Sequence, residues 1–175
     1  MFFAILFSNL HDRLTNQRNT GRFDLKITFI YMATKFSMCI WSEYNAKEMA
    51  EYYKDVFSDF KLVSENPMAV VFEVAGNRLM CLNNGNRNEI FNEKISFVLS
   101  VDTQEEIDHY WDYFTQDGTA GQCGWLQDKY GISWQIVPTI LGKLMTNPAT
   151  APKATYAFMQ MSKFDIGKLE AAVAD

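Results

Sequence analysis

Residues 124–138 read GWLQDKYGISWQIVP, and this stretch decides the fold. It predicts a tight turn at Gly131 followed by an almost fully apolar strand over residues 132–138, because glycine tolerates turn conformations and β-branched or aromatic residues suit a packed strand. Gln135 interrupts the apolar pattern with an amide in the middle of that strand. Since an unpaired buried amide costs about 1–3 kcal/mol, Gln135 requires a hydrogen-bonding neighbour or a ligand.

The earlier part of the chain also contains predicted strands and a predicted helix, in a regular order. The pattern predicts one strand, one helix and then three strands, at residues 36–41, from Asn45 onward, and around 59–64, 68–75 and 78–83. Asn45 is a candidate cap for the helix, with Glu48 three residues later as the acidic half of a capping box. A polar loop rich in asparagine ends this first half.

The second half repeats the order of the first. Residues 95–101 form a predicted strand, and Thr103 caps a helix with Glu106 as the acidic half of its capping box. A shift of 58 residues places Asn45 on Thr103 and brings the apolar and aromatic positions of the two helices together. The chain is therefore interpreted as an internal βαβββ duplication.

The composition fits one folded domain, or two small modules with a common core. The chain has 175 residues, of which 48% are hydrophobic, enough for a packed interior. Its net charge of −5 and its lack of a basic stripe argue against nucleic-acid binding. An odd number of cysteines gives no disulfide framework, so Cys39, Cys81 and Cys123 are interpreted as small buried hydrophobes in a reducing cytoplasm.

The first 31 residues are expected to be an appendage, either a poorly ordered tail or a segment upstream of a natural start at Met32. A structured element is the alternative. Residues 1–35 contain five Lys or Arg and two Asp or Glu, which sets them apart from the acidic remainder. The apolar run at residues 2–7 is far shorter than the ~20 residues that a membrane span needs, so no membrane association is expected.

Two βαβββ modules resemble the vicinal-oxygen-chelate superfamily, which includes glyoxalase I, extradiol dioxygenases and bleomycin-resistance proteins. Within it the chain is similar to the PhnB-like group, often labelled 3-demethylubiquinone 3-methyltransferase-like. The segments that carry the resemblance are AEYYKDVF (50–57), FEVAGNRLMCLNNG (72–85), ISFVLSVDTQEEIDHYW (95–111), QCGWLQDKYGISWQIVP (122–138) and KFDIGKLEAA (163–172).

The resemblance implies an α+β fold in which the paired modules form a cupped eight-stranded mixed sheet with helices on its outer side, and it implies a homodimer. The paired modules would occupy residues 35–138, with the first at 35–85 and the second at 94–138. Residues 139–175 would add a C-terminal helical extension.

Enzymes of the superfamily hold a divalent metal in the cup with His and Glu. Carried over residue by residue, their ligand positions fall on Met38, Met80, Ser96 and Gln135. These side chains do not make an ordinary zinc, iron or magnesium site, so no metal and no cofactor is expected, and the four are interpreted as ligand-binding positions. A one-residue slip would offer Cys39 and Cys81, but the second half would then supply only Phe97 and Ile136.

The methyltransferase label does not match the sequence. S-adenosylmethionine-dependent methyltransferases usually have a doubly wound sheet and a glycine-rich turn, whereas this chain has no Gly-x-Gly and no alternating series of parallel strands and helices.

Three functions remain open from the sequence. The first, which is the interpretation we favour, is a glyoxalase/bleomycin-resistance-like protein that binds a small apolar or aromatic molecule in the sheet cup or in a dimer cleft, without metal. The second is a metal-dependent lyase, isomerase or dioxygenase with an unusual site. The third is a fold that serves mainly dimerisation. Trp41 and Trp134 are interpreted mainly as core residues, although either could form the floor of the pocket.

Overall fold

A first βαβββ module begins the described part of the chain, which in this computed structural model comprises residues 37–43, 45–83 and 91–174. The module consists of β1 (Met38–Ser42), α1 (Ala46–Val56), β2 (Lys61–Asn66), β3 (Ala69–Val74) and β4 (Asn77–Asn83). The predicted appendage at residues 1–31 lies outside the described residues.

The second module has the same order of elements. It consists of β5 (Phe97–Val101), α2 (Gln104–Gln116), β6 (Thr119–Ala120), β7 (Trp125–Gln127) and β8 (Ser133–Pro138). Three short helices follow: α3 (Thr139–Thr146), α4 (Ala151–Phe158) and α5 (Ile166–Val173). The predicted α+β class and the repeated βαβββ order are confirmed.

The strands of each module form one four-stranded mixed sheet. The strand orders are β1-β4-β3-β2 and β5-β8-β7-β6, with β1 parallel to β4, β5 parallel to β8 and the other neighbours antiparallel. Among the described residues the two sheets are not hydrogen-bonded to each other. The eight predicted strands are therefore present, but as two separate sheets with β1 and β5 as edge strands.

The start of α2 agrees with its prediction. The Thr103 hydroxyl accepts a hydrogen bond from the Glu106 backbone N–H at 3.2 Å, and the Glu106 carboxylate accepts one from the Thr103 N–H at 3.1 Å. This reciprocal pair is the predicted capping box.

The capping box predicted at the start of α1 is wrong. Asn45 occupies the N-cap position, but its side chain makes no capping hydrogen bond. Asn83, at the end of β4, supplies the acceptor instead, since its Oδ1 accepts the Ala46 N–H at 2.9 Å. The same atom also accepts the Ser42 hydroxyl at 3.0 Å. A residue distant in sequence therefore caps this helix and fixes it to the end of its own sheet.

The two modules share one aromatic core beneath their helices. Trp134 of β8 stacks on Phe114 of α2, with ring centroids 4.9 Å apart and an interplanar angle of 18°. Its ring also lies 5.8 Å from Tyr53 and 6.0 Å from Phe57, both near the end of α1. Aromatic pairs of this kind stabilise a core beyond the apolar area that they bury.

The chain after the second module is part of the same core. The backbone N–H groups of Cys123 and Gly124 donate to the carbonyl oxygens of Met161 and Ser162, each at 2.7 Å. Gly124 has a φ of +81°, and a Cβ there would collide with the ring of Phe164. Phe164 is only 2% exposed. Close approach of this C-terminal segment thus explains the glycine.

None of the helices in the described part of the chain is long and apolar enough to cross a membrane.

Candidate functional site

Side chains along β8 alternate between the helix-covered face and the open face of the second sheet. Trp134 is 3% exposed and points into the aromatic core. Gln135 is half-buried and lies on the opposite, open face, as the period of two along a strand requires. The two neighbours thus have opposite orientations, and Trp134 is a core residue.

Gln135 and Ser96 meet on the open face. The Gln135 amide nitrogen Nε2 donates to the Ser96 hydroxyl oxygen at 2.9 Å. Because Ser96 accepts this bond, its own O–H remains available as a donor.

Met80 is the counterpart of Gln135 in the first sheet. Met80 pairs with Cys39 across β1 and β4, just as Gln135 pairs with Val98 across β5 and β8. Met38 pairs instead with Leu79, which is 2% exposed on the helix-covered face. The structure thus places Met38 on the opposite face from Met80.

The displacement of Met38 has a simple cause. Three residues, 43–45, connect β1 to α1, whereas only two, 102–103, connect β5 to α2. The 58-residue shift therefore aligns the two helices correctly but moves the first strands by one position. A one-residue displacement turns a side chain to the other face of a sheet.

An apolar cavity of about 500 Å³ lies between the edge strand β1 and the start of β5 and β8. The residues that line it are Met38, Cys39, Ile40, Phe91, Asn92, Lys94, Ile95, Ser96, Phe97, Ile132 and Ser133. Two of the predicted positions, Met38 and Ser96, are among them. Met80, Gln135 and Trp41 are not, although Gln135 contacts Ser96. Ligand pockets typically have volumes of about 300–1,000 Å³.

One residue of the cavity wall has a buried hydroxyl without a hydrogen-bond partner in the part of the chain that the structure describes. Ser133 is 1% exposed, and its Oγ has no hydrogen-bond partner among the described residues. A buried polar group without a partner costs about 1–3 kcal/mol. Ser133 is therefore an energetically unfavourable polar residue in the wall of the cavity.

Cys39 also lines the cavity, contrary to the interpretation that all three cysteines are buried. Cys81 is buried and Cys123 is half-buried, but Cys39 is exposed on the open face of β1. Desolvation raises the pKa of Cys39 above its ordinary value, so the thiol is the dominant form at neutral pH. Cys39 is thus an accessible thiol of low reactivity in the wall of the cavity.

Sequence reasoning missed Asp128, a carboxylate that is 3% exposed. Its Oδ2 accepts the Tyr53 hydroxyl at 2.7 Å and the Trp134 indole N–H at 2.9 Å. Its Oδ1 accepts the backbone N–H groups of Tyr130 and Ile132 at 2.9 and 3.1 Å. Burial raises the pKa of Asp128, and these hydrogen bonds oppose that shift.

The position of Asp128 indicates a structural role. Tyr53 belongs to the first module and Trp134 to the second, so one carboxylate joins the two modules. The sequence carried one signal for its local bonds, since Asp128 and Gly131 bracket a turn of the kind that aspartate side chains stabilise. Nothing in the sequence indicated the hydrogen bonds that Asp128 accepts from the side chains of Tyr53 and Trp134.

The positions carried over from metal-dependent relatives do not fit a divalent metal. They supply two thioethers, a hydroxyl and an amide, and Met38 faces away from Met80. The residues that the structure describes contain no group of three or more His, Cys, Asp and Glu that could hold a metal ion. The fold that usually binds S-adenosylmethionine in methyltransferases is also not present among the described residues, because both sheets are mixed and neither is doubly wound.

Comparisons with known proteins identify relatives of this chain in sequence and in structure. The sequence model of the family described as 3-demethylubiquinone-9 3-methyltransferase matches residues 34–137. A PhnB protein from Bacillus cereus with the same methyltransferase description is similar in structure, with 27% identity and a TM-score of 0.55, over 61% of this chain and 100% of that one. Among curated protein sequences, none matches the chain significantly.

Two more distant structures show the fold alone. Protein PA1353 from Pseudomonas aeruginosa has 16% identity and a TM-score of 0.53, over 61% of this chain and 98% of that one. The fosfomycin resistance protein FosX from Listeria monocytogenes, solved with Mn(II) and sulfate, has 10% identity and a TM-score of 0.50, over 66% of this chain and 98% of that one.

Proposed function

The chain belongs to the family described as 3-demethylubiquinone-9 3-methyltransferase, and from that membership and the cavity beside β1 we propose that it binds a small apolar or aromatic molecule without a metal ion. The resemblance to the PhnB-like group is confirmed, and the fold is that of the glyoxalase/bleomycin resistance/dioxygenase superfamily. Neither the family description nor the fold assigns a reaction to this chain, because one fold supports many chemistries.

The apolar cavity beside β1 is the observation that carries the proposal. Its volume suits a small molecule, and binding there would bury the apolar surface of its wall. The hydroxyl of Ser96, oriented by Gln135, is a donor in the same wall. Apolar walls with a few fixed polar groups are the usual form of a small-molecule site.

A metal-dependent lyase, isomerase or dioxygenase is the alternative function. We expect the purified protein to carry no stoichiometric zinc, iron or manganese, because thioether, hydroxyl and amide groups are weak ligands for these ions. Elemental analysis after gel filtration measures this directly. About one tightly held metal ion per chain, lost on replacing Met80 and Gln135 with alanine, would support the enzyme instead.

Filling the cavity should abolish binding. Ser96→Trp places an indole in the cavity wall, and Ser100→Trp makes the same change on the same open face of β5, outside the cavity. A thermal-shift screen of aromatic and amphipathic compounds should find ligands of the wild-type protein, and a ligand at 100 times its Kd should stabilise it by about 2.7 kcal/mol. The stabilisation should disappear in Ser96→Trp and persist in Ser100→Trp.

Cys39 supplies an independent measure of occupancy. A bound ligand should slow the alkylation of Cys39 by iodoacetamide at pH 8.5, followed by peptide mass spectrometry, because this thiol lines the cavity. If a ligand still stabilised the Ser96→Trp variant and did not protect Cys39 from alkylation, the cavity would be refuted as the binding site. The ligand would then bind elsewhere, for example in the cleft of the homodimer that we also propose from the family resemblance.

A further inference from the structure

We propose that the ligand of this cavity is an amphipathic anion, with an aromatic or aliphatic body inside the cavity and one carboxylate or sulfonate group held by Lys94. This inference rests on the proposed function and adds the chemical class of the ligand to it.

The cavity offers an apolar compartment for the body of such a molecule. Ile40, Phe97 and Ile132 lie in its wall, and each also packs on the hydrophobic core. Phe91 and Ile95 extend the apolar surface toward the solvent, where they are 41% and 79% exposed. An apolar molecule would cover these exposed side chains as it enters.

Lys94 is the one charged side chain among the eleven described residues that line the cavity. It is exposed, and it takes part in none of the ion pairs found among the described residues. The Asn92 side-chain oxygen accepts the Lys94 backbone N–H at 3.0 Å and so fixes the turn that carries it. An unpaired ammonium at an apolar cavity favours a ligand of opposite charge.

The Ser96 hydroxyl in the wall is complementary to the same ligand. It accepts from Gln135 and so keeps its proton for another acceptor. A hydroxyl and an ammonium can both donate to the oxygens of a carboxylate or sulfonate. A cationic ligand would find no carboxylate among the described lining residues.

The preference for an anionic ligand does not come from the net charge of the whole protein. The net charge of the chain is −5, which opposes the approach of an anion. Salt screens charges beyond about 8–10 Å, so local attraction by Lys94 decides the affinity inside the cavity. Removing this one charge should therefore affect anionic ligands and leave neutral ligands unaffected.

Two fluorescent probes of one shape test the inference. They are 8-anilinonaphthalene-1-sulfonate and N-phenyl-1-naphthylamine, which is the same molecule without the sulfonate. The full chain should bind the sulfonate more tightly. Lys94→Met should weaken the sulfonate about fivefold, the effect of one partly exposed charge pair, and leave the neutral probe within twofold.

Matched variants keep the test specific. Lys153→Met removes an exposed lysine of α4 outside the cavity, and both probes should bind it as they bind the wild type. Ser96→Trp should abolish binding of both probes. Decanoate should displace the sulfonate probe more effectively than decanol.

The possible failures can be told apart. If the neutral probe binds in the cavity but the sulfonate binds no tighter, or if Lys94→Met and Lys153→Met behave alike, the anionic ligand class is wrong and the proposed function survives. If neither probe binds, or if both still bind Ser96→Trp, the cavity is not the binding site. The proposed function and the proposed ligand class are then both refuted.

Discussion

Replacing Asp128 with alanine is expected to lower the free energy of unfolding by about 3–5 kcal/mol, the loss typical of removing one partner from a buried, charged network. The substitution removes the acceptor of the Tyr53 hydroxyl and of the Trp134 indole N–H. Both rings are nearly inaccessible, at 0% and 3% exposure, so water cannot easily replace the carboxylate. Urea unfolding monitored by circular dichroism measures the change.

Two milder variants separate the hydrogen bonds of Asp128 from its shape. Asp128→Asn keeps the size of the side chain but turns an N–H₂ group toward one pair of donors, so it should also destabilise the fold, by less than alanine does. Tyr53→Phe removes a single donor and leaves the carboxylate with three, so its cost should be about 1 kcal/mol. A loss below about 1 kcal/mol for Asp128→Ala would show that the network does not hold the modules together.

The adjacent residues Trp134 and Gln135 should respond oppositely to truncation. Trp134→Ala should cost about 3–5 kcal/mol of stability, because the ring is buried against α2 and removing it leaves a large cavity. Gln135→Ala should cost less than about 1 kcal/mol, since it removes one hydrogen bond on the open face and exposes its partner to water. Urea unfolding of both variants provides the measurement.

The ligand affinity should follow the reverse order. Gln135 does not line the cavity but donates to Ser96, which does, so Gln135→Ala should weaken ligands that bind the Ser96 hydroxyl. A folded Trp134→Ala protein should bind them nearly as well as the wild type. If Gln135→Ala destabilised the protein as strongly as Trp134→Ala while ligand affinity stayed unchanged, Gln135 would be a purely structural residue.

The parts of the fold that depend on local sequence were predictable. Apolar periodicity located both βαβββ modules, and the Thr103–Glu106 capping box formed as expected because all of its atoms lie within four residues. Along β8, Trp134 and Gln135 lie on opposite faces, as the strand period of two requires. These features are settled by neighbours in the chain.

The remaining features depend on distant contacts or on loop length. Met38 lies on the opposite face from Met80, because the repeat that aligns the two helices does not extend to the first strands, whose connections to the helices differ by one residue. The cap of α1 is Asn83, which is separated from Ala46 by most of the first module. The role of Asp128 could not be predicted, because its bonds to Tyr53 and Trp134 form only when both modules fold.

The contact between Gly124 and Phe164 limits how far the chain can be shortened at its C-terminal side and where another protein can be fused to it. The family match stops at residue 137, which invites a cut directly after β8. Such a cut would remove Phe164 from the surface that Gly124 leaves open, and with it Leu169, which is 0% exposed. It would also strip Gln104, at the start of α2, of its bonds to Phe164 and Ile166. Fusion partners are therefore better attached after residue 173, and a shortened relative that lacks this segment must cover the glycine in another way.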